Sequence, residues 1–93
     1  MIQSTKGKLI KHVIDGRPGK GFPNEIFDRA TDLLTAIDAA AVVEDLQFPP
    51  DNHLEELVGD RKGQHSVRIN RKWRHCFTWG PQGPEDVELT DYH

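Results

Sequence analysis

The stretch HSVRINRKWRHCFTW, His65 to Trp79, decides the fold because its residues alternate with a period of two. Val67 and Ile69 fall on one side of an extended chain, and Ser66, Arg68 and Asn70 on the other. After a short break, Trp73, His75, Phe77 and Trp79 share one parity, and Lys72, Arg74, Cys76 and Thr78 share the other. This is the pattern of two antiparallel strands with one apolar face on a core. The opposite face is then free, and it is expected to carry Arg68 and Arg74. His75 and Cys76 point to opposite faces, so they do not make a nucleophile pair. Trp73, Phe77 and Trp79 read as core, and His75 as a core or edge histidine with a hydrogen-bond partner.

The flanking segments extend this meander. GPQGP turns the chain into DVELTDY, where Val87 and Leu89 face one side. On the other flank, Gly59 to Gly63 is a turn and HLEELV one short strand. Further back, Ile26, Phe27, Ala30, Leu33, Leu34, Ile37 and Ala41 recur at helical spacing. They predict an amphipathic helix from about Glu25 to Ala41, with Asn24 as its N-cap and an acidic outer face. Pro49 and Pro50 close the helical region. Leu9, Ile10, Val13 and Ile14 form the stripe of an earlier helix that stops at Gly16. MIQST suits a short first strand. The expectation is a single α+β domain over residues 1–93, with two N-terminal helices packed on one face of an antiparallel sheet.

Charge is segregated along the chain. The net charge is −3, yet Asn24 to Asp60 holds ten acidic residues and one base, Arg29. Arg61 to Arg74 holds six bases (Arg61, Lys62, Arg68, Arg71, Lys72 and Arg74) and no acid. The acidic helix is therefore expected on a different face from the cations. No apolar run approaches the roughly 20 residues that a membrane span needs. MIQSTKGKLIKH lacks the apolar stretch of a signal peptide, and Cys76 is the sole cysteine. A cytoplasmic protein without membrane contact is expected. The histidines 53, 65, 75 and 93 lack the spacing of a zinc site.

Asp91, Tyr92 and His93 close the sequence with a carboxylate, a phenol and an imidazole. An imidazole exchanges protons near neutral pH, and a carboxylate can orient it or act as the opposite base. Arginines hold phosphate and stabilise charge that grows in a transition state. Tyrosine can stack on an unpaired base. With Arg68 and Arg74 these are the parts of a metal-free ribonuclease.

PPDNHLEELVGDRKGQHSVRINRKWRHCFTW followed by VELTDYH resembles the HigB-type toxins of the RelE superfamily, from bacterial toxin–antitoxin modules. The likeness runs over essentially the whole chain. It implies a fold like that of the microbial ribonucleases, and cleavage of mRNA in the A site of a translating ribosome without a cofactor. It implies as partners the ribosome with mRNA and a HigA-like helix-turn-helix antitoxin, with operator DNA reached only through that antitoxin. The site residues implied are Asp91, Tyr92, His93 and Arg74, with Arg68 on RNA phosphate. The remaining cations of the basic segment, Arg61, Lys62 and Arg71, are candidate RNA contacts. Val58 stands where the family often has a lysine that aids the chemistry. Two other readings use the same residues: an attenuated toxin-like protein that binds its antitoxin and co-regulates the operon, and a ribosome binder that blocks without cutting.

Overall fold

The computed structural model describes residues 1–91. Its centre is a five-stranded sheet in the order β1-β5-β4-β3-β2, formed by β1 Thr5–Lys6, β2 Glu55–Glu56, β3 His65–Arg68, β4 Arg74–Gly80 and β5 Gly83–Thr90. The meander β2-β3-β4-β5 is antiparallel, as its period-two patterning requires. β1 departs from that expectation by pairing parallel to β5, with Thr5 beside Val87 and Lys6 beside Glu88. β1 and β5 stand at opposite ends of the sequence and are not joined by a hairpin, so the antiparallel rule for neighbours joined by tight turns does not apply.

Two helices, α1 Leu9–Asp15 and α2 Phe27–Ala39, cover one sheet face. Ile10 and Val13 of α1 are buried, and Gly16 ends the helix in the left-handed conformation at φ 73°. The Gly16 N–H donates to Val13 O and the Arg17 N–H to His12 O, which satisfies two terminal carbonyls. Ile14, expected on the inner stripe, is exposed, while Leu9, Ile10 and Val13 carry the contact with the core. The second helix is shorter than its periodicity suggests. Asn24 to Ile26 form a 3-10 turn, α2 starts at Phe27, and Asn24 donates no side-chain cap. The far end stops at Ala39, since Ala40 is extended and Asp45 Oδ2 accepts the N–H groups of Ala41 and Val42. A local carboxylate turn thus wins over continued helix. No helix among the described residues is long and apolar enough to cross a membrane.

The core lies between helices and sheet and contains Ile10, Val13, Phe22, Ile26, Ala30, Leu33, Ile37, Val67, Phe77, Val87 and Leu89. Trp73 and Trp79 pack against it while half-buried. One polar group sits inside. His75 is fully buried, and its Nε2 lies 2.9 Å from the Ala30 carbonyl of α2, so Nε2–H donates to that oxygen. Nδ1 is buried and has no hydrogen-bond partner among the described residues.

Two devices shape the sheet's ends. On β4 and β5, Cys76 faces Glu88 while Thr78 faces Glu85, so β5 carries one extra residue. Asp86 absorbs it at φ 52°, its N–H donating to Ser4 Oγ. This bulge lets Val87 and Leu89 stay on the core side. Ahead of β2, the segment of 3-10 turns from Val43 to Asn52 is pinned by buried Asn52, whose Nδ2 donates to the carbonyls of Leu46 at 3.2 Å and Phe48 at 3.1 Å.

Two outcomes follow for stability. Burial holds the His75 imidazole at about 4, below its usual 6.5, so the folded protein keeps it neutral while the unfolded chain takes up a proton. Stability from this group is present above pH 6.5 and drains away as pH falls toward 4, by on the order of 3 kcal/mol. Urea unfolding of wild type and His75→Gln across that range should show this loss in the wild type only, since the amide still donates but does not titrate. Asn52→Ala removes two hydrogen bonds from buried carbonyls and should cost about 1–3 kcal/mol in the same assay.

Candidate active site

The sheet register sorts side chains into cross-strand rows, and directly paired residues share a face. The row Val67–His75–Leu89 points into the core. The rows on either side of it point away from the helices. One is Glu55–Ser66–Cys76–Glu88, running across four strands. The other is Arg68–Arg74–Thr90. The alternating arginines thus share the face opposite the helices, as their parity requires.

That face is not bare, contrary to the sequence reading. Ser66 and Cys76 are buried at its centre, and Leu57 is buried apart from the main core. Two guanidinium groups lie over this middle. Arg74 Nη1 donates to Ser66 Oγ at 2.9 Å and Nη2 to Glu55 Oε1 at 3.2 Å. Arg61, from the 3-10 turn Gly59–Arg61, donates through Nη1 to Gln64 Oε1 and to Glu88 Oε1, both at 3.0 Å. Each arginine is therefore oriented by a carboxylate at one end of the row. The Cys76 thiol is pushed up to about 11, first by burial and then by Glu88, against the opposing pull of Arg61 and Arg74. It stays protonated and is no nucleophile.

The hairpin joining β3 and β4 carries the other cations. Asn70 Oδ1 accepts the N–H groups of Lys72 and Trp73, each at 2.8 Å, which fixes the turn. Arg68 Nε donates to the Asn70 carbonyl at 3.2 Å, drawing its guanidinium sideways from Arg74. Arg71 is exposed at the tip, and Lys62 is exposed beyond the Gly59–Arg61 turn. Lys72 Nζ lies 5.4 Å from the Trp73 ring centre and 3.8 Å from Asp91 Oδ2. That pair is exposed, and such pairs contribute about 1 kcal/mol at most.

Of the residues singled out from sequence, Arg74, Arg68, Arg61 and Asp91 lie on or beside this face. Thr90 is the cross-strand partner of Arg74, so Asp91 follows one position beyond the arginine row. Tyr92 and His93 lie outside the described residues. Sequence reasoning missed Glu55, Ser66, Gln64 and Glu88. HLEELV and VELTDY show their alternation, but only the strand register shows that Glu55 and Glu88 end on one row with two arginines above it. The acidic segment and the basic segment therefore meet at Glu55 and Arg74. The acids of α2 stay elsewhere: Asp38 Oδ1 accepts the Ile2 N–H.

Comparison with known proteins bears on the family and the fold. The HigB-like toxin family, described as RelE-like toxins of type II toxin–antitoxin systems, matches residues 5–93. Endoribonuclease HigB of Proteus vulgaris is 32% identical over 93 residues, covering 100% of both chains. Toxin HigB-1 of Vibrio cholerae is 35% identical over 65 residues, 70% of this chain and 68% of that one. Among solved structures, the YoeB–YefM complex from Staphylococcus aureus matches with a TM-score of 0.63 at 17% identity, over 100% of this chain and 98% of that one. The YoeB dimer from the same organism matches with a TM-score of 0.58 at 18% identity, over 99% and 94%. These last two show the fold. The family match over nearly the full length, and a curated relative aligned end to end, establish that this chain belongs to the HigB-like family of RelE-type toxins.

Proposed function

We propose that this protein is a ribosome-dependent endoribonuclease that cuts mRNA at the A site and is neutralised by a HigA-like antitoxin. The observation that carries the reading is the row Arg68–Arg74–Thr90, whose last member is followed in sequence by Asp91, Tyr92 and His93. Like charges directly opposite one another destabilise a sheet, so two arginines in register make sense on a surface that takes up anions. The relative from Proteus vulgaris is named an endoribonuclease, and the solved structures of like fold include a heterotetrameric YoeB–YefM toxin–antitoxin complex.

On this reading a base among His93 and Asp91 takes the 2′-OH proton of the RNA. The 2′-oxygen attacks the adjacent phosphorus, the P–O5′ bond breaks, and the other group protonates the departing 5′-oxygen. Arg74, preset on Ser66 and paired with Glu55 in the resting protein, faces the phosphate and stabilises its added charge. Tyr92 stacks on or orients the base. Arg68, Arg61, Lys62 and Arg71 hold the backbone around the cut. The setting is the cytoplasm, and DNA is reached only through the antitoxin.

Cleavage of a reporter mRNA on programmed ribosomes, under single-turnover conditions, tests this. Arg74→Ala should slow the cut by roughly 10²–10³-fold. His93→Ala should slow it by roughly 10²–10⁴-fold. Wild-type cutting by His93→Ala, or equal cutting of free and ribosome-bound mRNA, would sink the reading. Val58 is 84% exposed beside the Gly59–Arg61 turn and leaves room for a longer side chain. Val58→Lys should raise the single-turnover rate by roughly tenfold through an added cation near the phosphate.

A further inference from the structure

The ion pair between Glu55 and Arg74 joins an anion to the guanidinium on which the proposed phosphate contact depends. Two of the contacts that hold Arg74 differ in strength. Ser66 Oγ accepts from Nη1 at 2.9 Å, and Ser66 is fully buried on an inner strand. Glu55 Oε1 accepts from Nη2 at 3.2 Å, and the Glu55 side chain is 51% exposed on the two-residue edge strand β2. The Arg74 side chain is only 20% exposed. The serine is therefore the fixed support, and the carboxylate is the contact that can swing into water.

A carboxylate and a phosphate present the same feature to a guanidinium, two oxygens set to accept from its fork of N–H donors. Glu55 is half in water, so its carboxylate is readily resolvated when it leaves the half-buried guanidinium, and the pair holds it only weakly. A polyanion that brings several phosphates to Arg68, Arg71 and Lys62 at once can therefore displace it. Displacement leaves Arg74 in place on Ser66.

We propose that Glu55 is a built-in stand-in for the RNA phosphate, occupying Arg74 Nη2 in the resting protein and giving way when the backbone of a single strand arrives. The proposal rests on the ribonuclease reading and adds an exchange step to it: one anion leaves Arg74 as another is bound. The exchange lowers affinity for any isolated anion, and for RNA that does not also engage the neighbouring cations. Selectivity for a correctly seated strand results.

The test is equilibrium binding of the full chain to a single-stranded RNA oligonucleotide with 2′-O-methyl riboses, which cannot be cut by 2′-attack, over a range of salt concentrations. Glu55→Gln keeps shape and hydrogen bonding while removing the charge. It should bind roughly threefold to tenfold more tightly than wild type, while the slope of log K against log salt should change by less than about 0.7, the increment for one phosphate contact on a single strand, because both proteins reach the same bound contacts. Glu55→Ala should shift the same way, and thermal melting of both variants controls for loosening of β2. The gain must vanish in Glu55→Gln/Arg74→Ala compared with Arg74→Ala alone.

Equal or weaker binding by Glu55→Gln, or a gain that persists without Arg74, overturns the proposal. Retained binding with lost cleavage in Glu55→Gln also overturns it, because the carboxylate would then act on a proton and not as a competitor. In each of these outcomes a weakened Arg74→Ala leaves the ribonuclease reading standing. If Arg74→Ala binds like wild type, that reading falls together with the proposal.

Discussion

The hydrogen bond from His75 to the Ala30 carbonyl sets how the helical layer meets the sheet. A buried imidazole near the start of the central strand must place its one proton on an acceptor, and the backbone of α2 supplies it. Ala30 has no side chain beyond Cβ and is itself fully buried, so helix and strand can approach closely enough for that bond. Once β4 is docked this way, its parity is fixed. Phe77 must enter the core beside His75, and Arg74 and Cys76 must face outward. The rows on the neighbouring strands then follow from register alone, since a one-residue slip would bury Arg68, Arg74 and Glu88.

Folding also rearranges the electrostatics of the chain. Along the sequence, acids and bases occupy separate blocks. In space, Glu55 and Glu88 reach Arg74 and Arg61 from the two ends of one cross-strand row. The resulting pairs are partly desolvated, and buried Ser66 and half-buried Gln64 complete the donor–acceptor balance. Net charge is therefore a poor guide to what this face can bind. Its local potential depends on how firmly each carboxylate is held, and Glu88, with its side chain 20% exposed, is held more firmly than Glu55.

Much of the architecture was legible because burial and period coincide. Val67, His75, Phe77, Val87 and Leu89 are inside, as alternation requires, and Gly16 stops α1 where a left-handed residue is needed. The misreadings have local causes. Asn24 looked like a cap, but the chain enters α2 through a 3-10 turn, and Asp45 turns the chain near Ala41 where periodicity alone would continue the helix. The arginines of the site were visible from their parity. Their partners were not, since Glu55 is 19 positions from Arg74 and Glu88 is 27 from Arg61. No period connects such residues. Only the strand order and the bulge at Asp86 bring them together. A free outer face was likewise a natural inference from alternation, but side chains as long as arginine can fold back over small neighbours such as Ser66 and Cys76.

The parallel pairing of β1 with β5 bears on how this molecule is made. Ser4 and Asp86, which exchange hydrogen bonds there, are 82 positions apart. Almost the entire chain must be synthesised before this edge can close, and contacts of such long range make folding slow relative to helical domains of similar size. Until then β5 presents an unpaired edge, and the Asp86 bulge lacks its Ser4 support. The face bearing Arg61 and Arg74 shares that strand through Glu88. A nascent chain therefore cannot assemble the complete polar row until Glu88 has been synthesised.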